Sequence, residues 1–543
     1  MAIQKNDEIQ LHIEALTAEG SGIGHFDGMA VFVAGGVPGD TLLVHIIKAK
    51  KTYAVGKIVQ ILTPSPARTQ ADCPLFPQCG GCAYRFMEYQ TELREKQRRV
   101  EDAFLRLAHM PLQCETILAG CADRYRNKAQ YPVTRENGRV KIGFYAPRSH
   151  RVIDCKDCRL QPTEFAQIVA EFRAFLTEFA ISVYDAQSGK GLVRHLYLRK
   201  GFHSGEIMVC VVINGTHLPH SDAFVDRLCA LPYKITSIVL NTNTEKTNVI
   251  LGAQCNTLWG TPDIGDTLCG VDVRLSPLSF YQVNHDMAEQ LYQKAAEFAD
   301  LKGGETVLDL YCGAGTIGLS MAKHVNKIYG AEIVPEAIEN AKENARRNHI
   351  ENAEFFCGDA ADAAKRFREM GIQPDVVLLD PPRKGCDEAV LKTVAEMCPE
   401  KIVYVSCDPA TLARDAARLS SFGYMPTRLA AADLFPRTVH VETVVQLVRK
   451  KPDTYIDITV DMDELDLTSS EAKATYDEIK DYIFDKHCVK VSSLYVAQVK
   501  QKHGIIERDC YNNSKKDNPK QPQCPPEKVK LIEEALRHFK MIP

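Results

Sequence analysis

A cysteine and a glutamate stand out as candidate reacting groups. Cys407 follows the apolar run 401–406 and precedes Asp408-Pro409, so we predict that it lies where a strand ends and a helix begins. This place favours a covalent nucleophile over a buried structural cysteine, because the N-terminus of a helix lowers the pKa of a thiol. Glu442 opens the last apolar run of this region and is a candidate general base.

A glycine turn upstream predicts a cofactor site. Residues 309–315 read Asp-Leu-Tyr-Cys-Gly-Ala-Gly between a predicted strand and a predicted helix, where missing side chains let a ligand approach the backbone. Glu332 ends the second strand, where a carboxylate can hold both ribose hydroxyls, and Asp359 follows the third, towards an adenine. With a third glycine at Gly318, outside the dinucleotide spacing, these residues favour S-adenosylmethionine. Helix N-capping is the alternative role of Glu332 and Asp359.

The segment Asp380-Pro381-Pro382-Arg383 ends the fourth predicted strand at the same edge. It resembles the motif with which amino-methyltransferases stack a base, but an arginine replaces the aromatic residue. We therefore expect it to shape the backbone and to bring a carboxylate near the methyl donor.

A group of cysteines near the N-terminus predicts a metal centre. Cys73, Cys79 and Cys82 follow one another with glycines between the last two, and thiolates are the ligands of iron–sulfur clusters. Three cysteines leave one ligand missing, and Cys155 and Cys158 are both candidates. Tetrahedral zinc is the alternative occupant.

The elements that must position these groups form a Rossmann-like, doubly wound α/β domain at residues 276–451, where predicted strands and helices alternate. The last strand, which begins at Glu442, is predicted to be an antiparallel edge because no long crossover helix precedes it. Residues 1–64 predict an OB-like β-barrel, and residues 65–275 an α+β central domain with a basic helix at 88–107. Residues 452–543, with an acidic stretch at 453–471 and a loop at 512–526, predict a helical accessory unit.

Composition limits the environment of the chain. The 543 residues carry a formal charge of -4 and 19 cysteines, and the N-terminus has no apolar signal core. The sequence also holds no apolar run of the roughly 20 residues that a bilayer span requires. We expect a cytoplasmic protein without a membrane partner, whose clustered cysteines serve metal binding or catalysis.

Taken together, the motifs resemble the RNA uracil-5-methyltransferase family over about residues 1–450. The resemblance is carried by the glycine turn, DPPR at 380–383, VSCDPATLARD at 405–415, FPRTVHVET at 435–443 and SFYQVN at 279–284. It implies that Cys407 adds to carbon 6 of a uracil and that Glu442 later removes the proton from carbon 5. It also implies that a set of residues contacts the S-adenosylmethionine: Gln282, Tyr311, Glu332, Asp359 and Asp380.

The resemblance further implies a TRAM domain at the N-terminus and a structural [4Fe–4S] cluster held by Cys73, Cys79, Cys82 and Cys158. Because the transfer-RNA branch of the family typically lacks both features, the expected partner is 23S ribosomal RNA. We expect the protein to be a monomer. The target base would leave its loop to reach Cys407.

Three other functions stay open at this point. A transfer-RNA uracil-5-methyltransferase would use the same reacting groups. Cytosine-5 methylation usually needs a Pro-Cys nucleophile, which Ser406-Cys407 does not provide. A non-catalytic RNA-binding assembly factor would have no need of an intact Cys407, Glu442 and glycine turn.

Overall fold

The structure is a computed structural model that describes residues 3–450, 476–487, 489, 491–503, 505, 524–539 and 541–542. The chain divides into two units, Met1–Asp453 and Thr454–Pro543. In the second unit, three helices share one apolar core: α10 (Tyr476–His487), α11 (Ser493–Lys502) and α12 (Pro526–His538). The acidic stretch predicted at 453–471 and residues 512–523 of the predicted loop lie outside the described residues.

Alternating apolar residues at the N-terminus build a curled sheet. Its strands are β1 (Glu8–His12), β2 (Ala15–Leu16), β3 (Ser21–Phe26), β4 (Met29–Ala34), β5 (Thr41–Ala49) and β6 (Tyr53–Thr63). They lie in the order β1-β5-β6-β4-β3-β2, and β1 also contacts β3. Every second residue of β1 and β5 faces the core, the period expected of half-buried strands. This sheet is the predicted N-terminal β domain.

A long helix connects this sheet to the rest of the first unit. Helix α1 (Tyr89–Leu107) buries Leu93, Lys96, Val100 and Phe104, a helical spacing that presents one face to the protein. That face packs on the helix that follows Cys407, in the same apolar core. The predicted basic helix is therefore a packing element of the region around Cys407.

The central region forms a seven-stranded sheet with helices against it. The elements are β7 (Ile117–Leu118), β8 (Lys128–Glu136), β9 (Arg139–Tyr145), β10 (Val152–Asp154), α2 (Thr163–Glu178), β11 (Val193–Lys200), β12 (Ile207–Ile213), α3 (Ser221–Cys229), β13 (Ile235–Thr242), β14 (Gln254–Gly260), β15 (Ile264–Leu268) and β16 (Val271–Leu275). The sheet order is β10-β9-β8-β11-β12-β13-β14, while β15 and β16 form a separate hairpin. Helices α2 and α3 share an apolar core with the sheet.

Alternating strands and helices then build the predicted doubly wound domain. The elements are α4 (His285–Ala299), β17 (Thr306–Leu310), α5 (Thr316–Ser320), β18 (Lys327–Glu332), α6 (Pro335–Arg347), β19 (Ala353–Cys357), α7 (Ala360–Glu369), β20 (Val376–Leu379), α8 (Glu388–Glu396), β21 (Lys401–Ser406), α9 (Pro409–Ser421), β22 (Tyr424–Ala432) and β23 (Glu442–Arg449). The sheet order is β19-β18-β17-β20-β21-β23-β22-β7.

The last strand corrects one prediction. β23 is antiparallel, as expected, but it lies between β21 and β22 rather than at an edge. The prediction was wrong because it missed β22, which pairs with β23 along its whole length and itself pairs with β7. The strand that carries Glu442 is therefore held from both sides.

We expect Phe104→Ala to lower the free energy of unfolding by about 3–5 kcal/mol, because it empties a fully buried site between α1 and the catalytic core. Urea denaturation followed by circular dichroism measures the change. Leu107→Ala, at the 53% exposed end of the same helix, is the control and should change the stability little. Equal losses in both variants would show that α1 does not pack as described.

Candidate active site and cysteine pocket

The candidate site residues follow the strand order along one edge of the large sheet. The parallel strands β19, β18, β17, β20 and β21 all end at this edge, where open α/β sheets bind their ligands. The candidate residues at or just after these strand ends are, in the same order, Asp359, Glu332, Tyr311, Asp380 and Cys407. The predicted cofactor residues and the predicted nucleophile therefore occupy neighbouring parts of one cleft.

The antiparallel strand β23 brings Glu442 to the same edge. The pairing of β21 with β23 joins Ser406 to Thr443, so the next residues of the two strands, Cys407 and Glu442, face each other. Glu442 is 5% exposed, whereas Cys407 is half-buried. The structure thus brings together the two reacting groups that the sequence predicted.

The pKa of Cys407 shifts in the direction opposite to the prediction. Burial raises the pKa of the Cys407 thiol, Glu442 raises it further, and Arg383 opposes the rise. The expected lowering by the helix N-terminus is therefore wrong. The side chain of Asp408 caps α9 and accepts hydrogen bonds from the N–H groups of Ala410 (2.8 Å) and Thr411 (3.3 Å), so a carboxylate already compensates the helix end.

Three carboxyl groups around the cleft have strongly raised pKa values. Burial raises the pKa of Glu442 to about 8, and the nearby Asp380 adds to the rise. Burial likewise raises the pKa of Asp380 to about 7. The same cause, with contributions from Asp380 and Glu332, raises the pKa of Asp309 to about 7. Such a set of perturbed groups in one cleft is typical of a functional site.

The glycine turn has the shape of a ligand cradle. Asp309 accepts a hydrogen bond from the N–H of Gly318 at 3.1 Å, and its other carboxylate oxygen is buried without a hydrogen-bond partner among the described residues. Tyr311 has a left-handed φ of 66°, a conformation that costs energy and gathers at functional sites. A Cβ at Gly313 would meet no atom within 4 Å, so the turn faces open space.

Two other predicted cofactor residues, Glu332 and Asp359, differ in the hydrogen bonds that their carboxylates already accept. Glu332 accepts hydrogen bonds from the N–H groups of Gly313 (3.3 Å) and Val334 (3.0 Å), which aims its carboxylate at the turn. Asp359 caps α7 by accepting a hydrogen bond from the N–H of Ala361 at 2.9 Å. It therefore performs helix N-capping, the role that was the alternative to cofactor binding.

Gln282 lies between β16 and α4, and its backbone carbonyl accepts a hydrogen bond from Asn127 at 2.7 Å. Two residues later, Asn284 caps α4 and donates to the carbonyl of Leu434, in the connection that leads to Glu442. The segment that carries Gln282 is therefore fixed to the reacting side of the cleft.

Sequence reasoning missed the charge environment that Arg383 creates. Its guanidinium acts on Cys407 and Glu442. Burial lowers the pKa of His440, and Arg383 lowers it further. The sequence gave the arginine of Asp-Pro-Pro-Arg but not its neighbours, because β20, β21 and β23 bring them together from distant positions.

The predicted metal ligands surround one cavity. Cys73, Cys79, Cys82, Cys155 and Cys158 all line a cavity of about 270 Å³. A hydrogen bond from Cys155 lowers the pKa of Cys158, and both candidates for the fourth ligand are thus at the same place. Within the described residues, no three His, Cys, Asp or Glu side chains are arranged to hold a metal ion.

A buried arginine supports this pocket. Arg85 bridges the carboxylates of Asp72 (2.9 Å) and Asp123 (2.7 Å), and it lies within hydrogen-bonding reach of Cys82. Burial nevertheless raises the pKa of Cys82 to about 11. A positive charge beside thiols favours their anionic, ligating form.

Comparison with known proteins decides the family. A family model described as tRNA (uracil-5-)-methyltransferase matches residues 270–450, and one described as TRAM domain matches residues 4–59. An RNA methyltransferase of Clostridium tetani is 43% identical over 82% of this chain and 96% of its own length. One from Halalkalibacterium halodurans is 42% identical over 82% of this chain and 98% of its own length.

The chain belongs to the RNA uracil-5-methyltransferase family. A solved structure agrees: the Pyrococcus abyssi tRNA (uracil-54, C5)-methyltransferase in complex with S-adenosyl-L-homocysteine has a TM-score of 0.67 and 27% identity. It covers 81% of this chain and 100% of its own. This uracil-5-methyltransferase therefore uses S-adenosylmethionine, which its glycine turn, free Asp309 oxygen and carboxylate Glu332 fit. None of the described helices combines the length and apolar character of a bilayer span.

We expect the stability difference between Glu442→Gln and the natural protein to grow with pH. The carboxyl group has its ordinary pKa when unfolded and a pKa of about 8 when folded, so folding favours the protonated form. Its contribution is complete below pH 4.5 and is lost as the pH rises towards 8. The neutral amide should therefore stabilise the protein at pH 9, by the order of 2–4 kcal/mol, and hardly at pH 5.

Thermal unfolding of the cofactor-free protein between pH 5 and pH 9 measures this difference. Glu336→Gln, an exposed carboxyl on α6, is the matched control. A constant offset between Glu442→Gln and the natural protein at all pH values would contradict the buried, proton-binding carboxyl.

Proposed function

We propose that this RNA uracil-5-methyltransferase methylates carbon 5 of a uridine in 23S ribosomal RNA through a covalent bond to Cys407. The observation that carries the mechanism is the strand pairing that sets Cys407 opposite the buried Glu442. Carbon 5 of uracil is a poor nucleophile until a thiolate adds to carbon 6, and the proton that carbon 5 then carries needs a base.

The proposed reaction passes through a covalent adduct between Cys407 and the uracil. The Cys407 thiolate forms a bond to carbon 6, and the electron pair of the 5,6 double bond becomes available at carbon 5. Carbon 5 takes the methyl group, which is the chemistry that bound S-adenosylmethionine supplies. The Glu442 carboxylate then removes the proton from carbon 5, the double bond reforms, and the carbon 6–sulfur bond breaks to return the thiolate.

The raised pKa values fit these roles. A carboxyl with a pKa of about 8 accepts a proton readily once ionised, which suits a base that works near neutral pH. Arg383 is the cation beside both reacting groups, and it favours the anionic form of each in turn. The half-buried Cys407 stays reachable for a base that has left its loop.

Two features support ribosomal RNA as the substrate: the TRAM domain and the cysteine cavity, which the ribosomal branch of the family combines. Transfer RNA is the second candidate. The P. abyssi tRNA methyltransferase aligns over its full length with 81% of this chain, so overall architecture separates the two substrates less sharply than expected.

We further propose that Cys73, Cys79, Cys82 and Cys158 hold a [4Fe–4S] cluster. Support comes from the cavity that these cysteines share, from the buried Arg85 beside it, and from the lowered pKa of Cys158. A four-iron cluster is larger than a single ion and holds its ligands further apart, whereas zinc requires four ligands in close tetrahedral contact. Iron and sulfide in the purified protein would identify the cluster, and zinc would identify the single ion.

The decisive experiment uses unmodified 23S ribosomal RNA with tritium at carbon 5 of its uracils, and tritiated transfer RNA in parallel. The enzyme should release tritium from the ribosomal RNA, Cys407→Ala should release none, and Glu442→Gln should accumulate a methylated enzyme–RNA adduct that survives denaturing gels. Release from transfer RNA alone would move the substrate to the second candidate. Tritium release by Cys407→Ala would reject the covalent mechanism.

Cluster binding is tested by iron and sulfide analysis after anaerobic purification, together with visible absorbance. Cys158→Ser should lose most of the iron and the absorbance, whereas Cys155→Ser should keep them, because only Cys158 is proposed as a ligand. The reverse result would exchange the two assignments, and stoichiometric zinc in the natural protein would reject the cluster.

A further inference from the structure

The connection between β22 and β23 is anchored to distant parts of the first unit. We call residues 433–441 the base loop, because they lead directly into Glu442. Tyr125 donates to the carbonyl of Pro436 at 3.0 Å, and Arg99 of α1 donates to the carbonyl of Val439 at 2.7 Å. The loop is therefore held by the central region and by α1, and not only by the sheet in which it ends.

Four charged side chains form the strongest of these anchors, and three of them are buried. Lys96 donates to Glu92 and to Asp433, each at 2.7 Å, and all three side chains are at most 2% exposed. Arg437 adds a second cation, 3.6 Å from Glu92, whose carboxylate also accepts the backbone N–H of Arg437 at 2.7 Å. Two cations thus balance two carboxylates. Helix α1 and the base loop each carry one cation and one carboxylate.

Arg437 is held in a strained conformation. Its φ of 67° lies in the left-handed region that side chains seldom adopt. Its carbonyl accepts hydrogen bonds from Ala83 (2.7 Å) and Tyr84 (3.2 Å), and its guanidinium donates to the carbonyl of Met87 at 2.9 Å. Such strain persists only where the surroundings over-determine it, and here they are the segment after Cys82 and the start of α1.

We propose that Glu92, Lys96, Asp433 and Arg437 are positioning residues that set the base loop, and through it the carboxylate of Glu442. The inference rests on the proposed role of Glu442 as the base. Because α1 also packs on α9, which follows Cys407, one helix supports the nucleophile and the base together. A fault in the charge cluster moves the base, while Cys407, directly after β21, stays in place.

This arrangement has a kinetic signature. Addition of Cys407 and methylation of carbon 5 do not need Glu442, whereas removal of the carbon 5 proton does. A displaced base therefore slows only the last stage, and the methylated enzyme–RNA adduct accumulates. General loss of structure would instead slow adduct formation and proton removal alike.

The test compares Arg437→Asn and Asp433→Asn with the natural enzyme on tritiated RNA. Asn tolerates a left-handed φ, so Arg437→Asn removes the guanidinium without new strain, and Asp433→Asn keeps the shape of the side chain. Methyl transfer into the adduct should stay near the natural rate, while tritium release falls about 10–100-fold, the size expected for a base misplaced by about 1 Å. Arg437→Lys keeps the charge and should recover part of the loss.

Arg227→Met is the matched control, because it breaks an ion pair with Glu178 in the central region, away from the base loop. It should leave both rates unchanged. If Glu442→Gln traps the adduct but Arg437→Asn and Asp433→Asn release tritium normally, or lose both rates in parallel, the positioning role is rejected alone. If Glu442→Gln itself traps no adduct, the base assignment fails, and the positioning role with it.

Discussion

The reacting edge of the enzyme depends on one antiparallel pairing, that of β21 with β23. In a wholly parallel sheet every strand would present its carboxyl end at the cleft, and each would contribute the residue that follows it. Because β23 runs in the opposite direction, Glu442, which begins β23, stands opposite Cys407, which directly follows β21. Glu442 gains from this a fixed, buried backbone on both sides, because β22 pairs with the other edge of β23.

Burial of charge is the second constraint, and it is distributed over the first unit. Removing ionised groups from water costs several kcal/mol each unless partners compensate them. The cluster of Lys96, Glu92, Asp433 and Arg437 pairs two cations with two carboxylates, and it fixes the base loop to α1. The carboxyls at the cleft are compensated only in part, and their raised pKa values record this. Burial likewise raises the pKa of Glu92 in the charge cluster, although Lys96 and Arg437 oppose the rise.

Local sequence patterns predicted much of this architecture. Strands Thr306–Leu310, Lys327–Glu332 and Lys401–Ser406 have the bounds that their apolar runs predict, because buried parallel strands are short and strongly apolar. The position of Cys407 at a strand end followed from the same reasoning. β22 was missed because its sequence, rich in alanine and interrupted by Pro426, has only one of the β-branched residues that mark a strand, Thr427.

What sequence could not supply are the effects of residues distant in the chain. The net rise of the Cys407 pKa depends on Glu442 and on burial, and both follow from strand order. The left-handed Arg437 carries no local signal, since Gly or Asn would be expected there. The pairing of Lys96 with Asp433 joins a helix to a loop that lies far along the chain.

The three carboxyls of the cleft also bear on turnover. Burial raises the pKa values of Asp309 and Asp380 to about 7 and that of Glu442 to about 8, close to neutral pH. A sulfonium cation stabilises their ionised forms, whereas the thioether left after methyl transfer is neutral and gives no such stabilisation. Neutral pH therefore lies inside the range in which the charge of the cleft responds to the charge of its occupant.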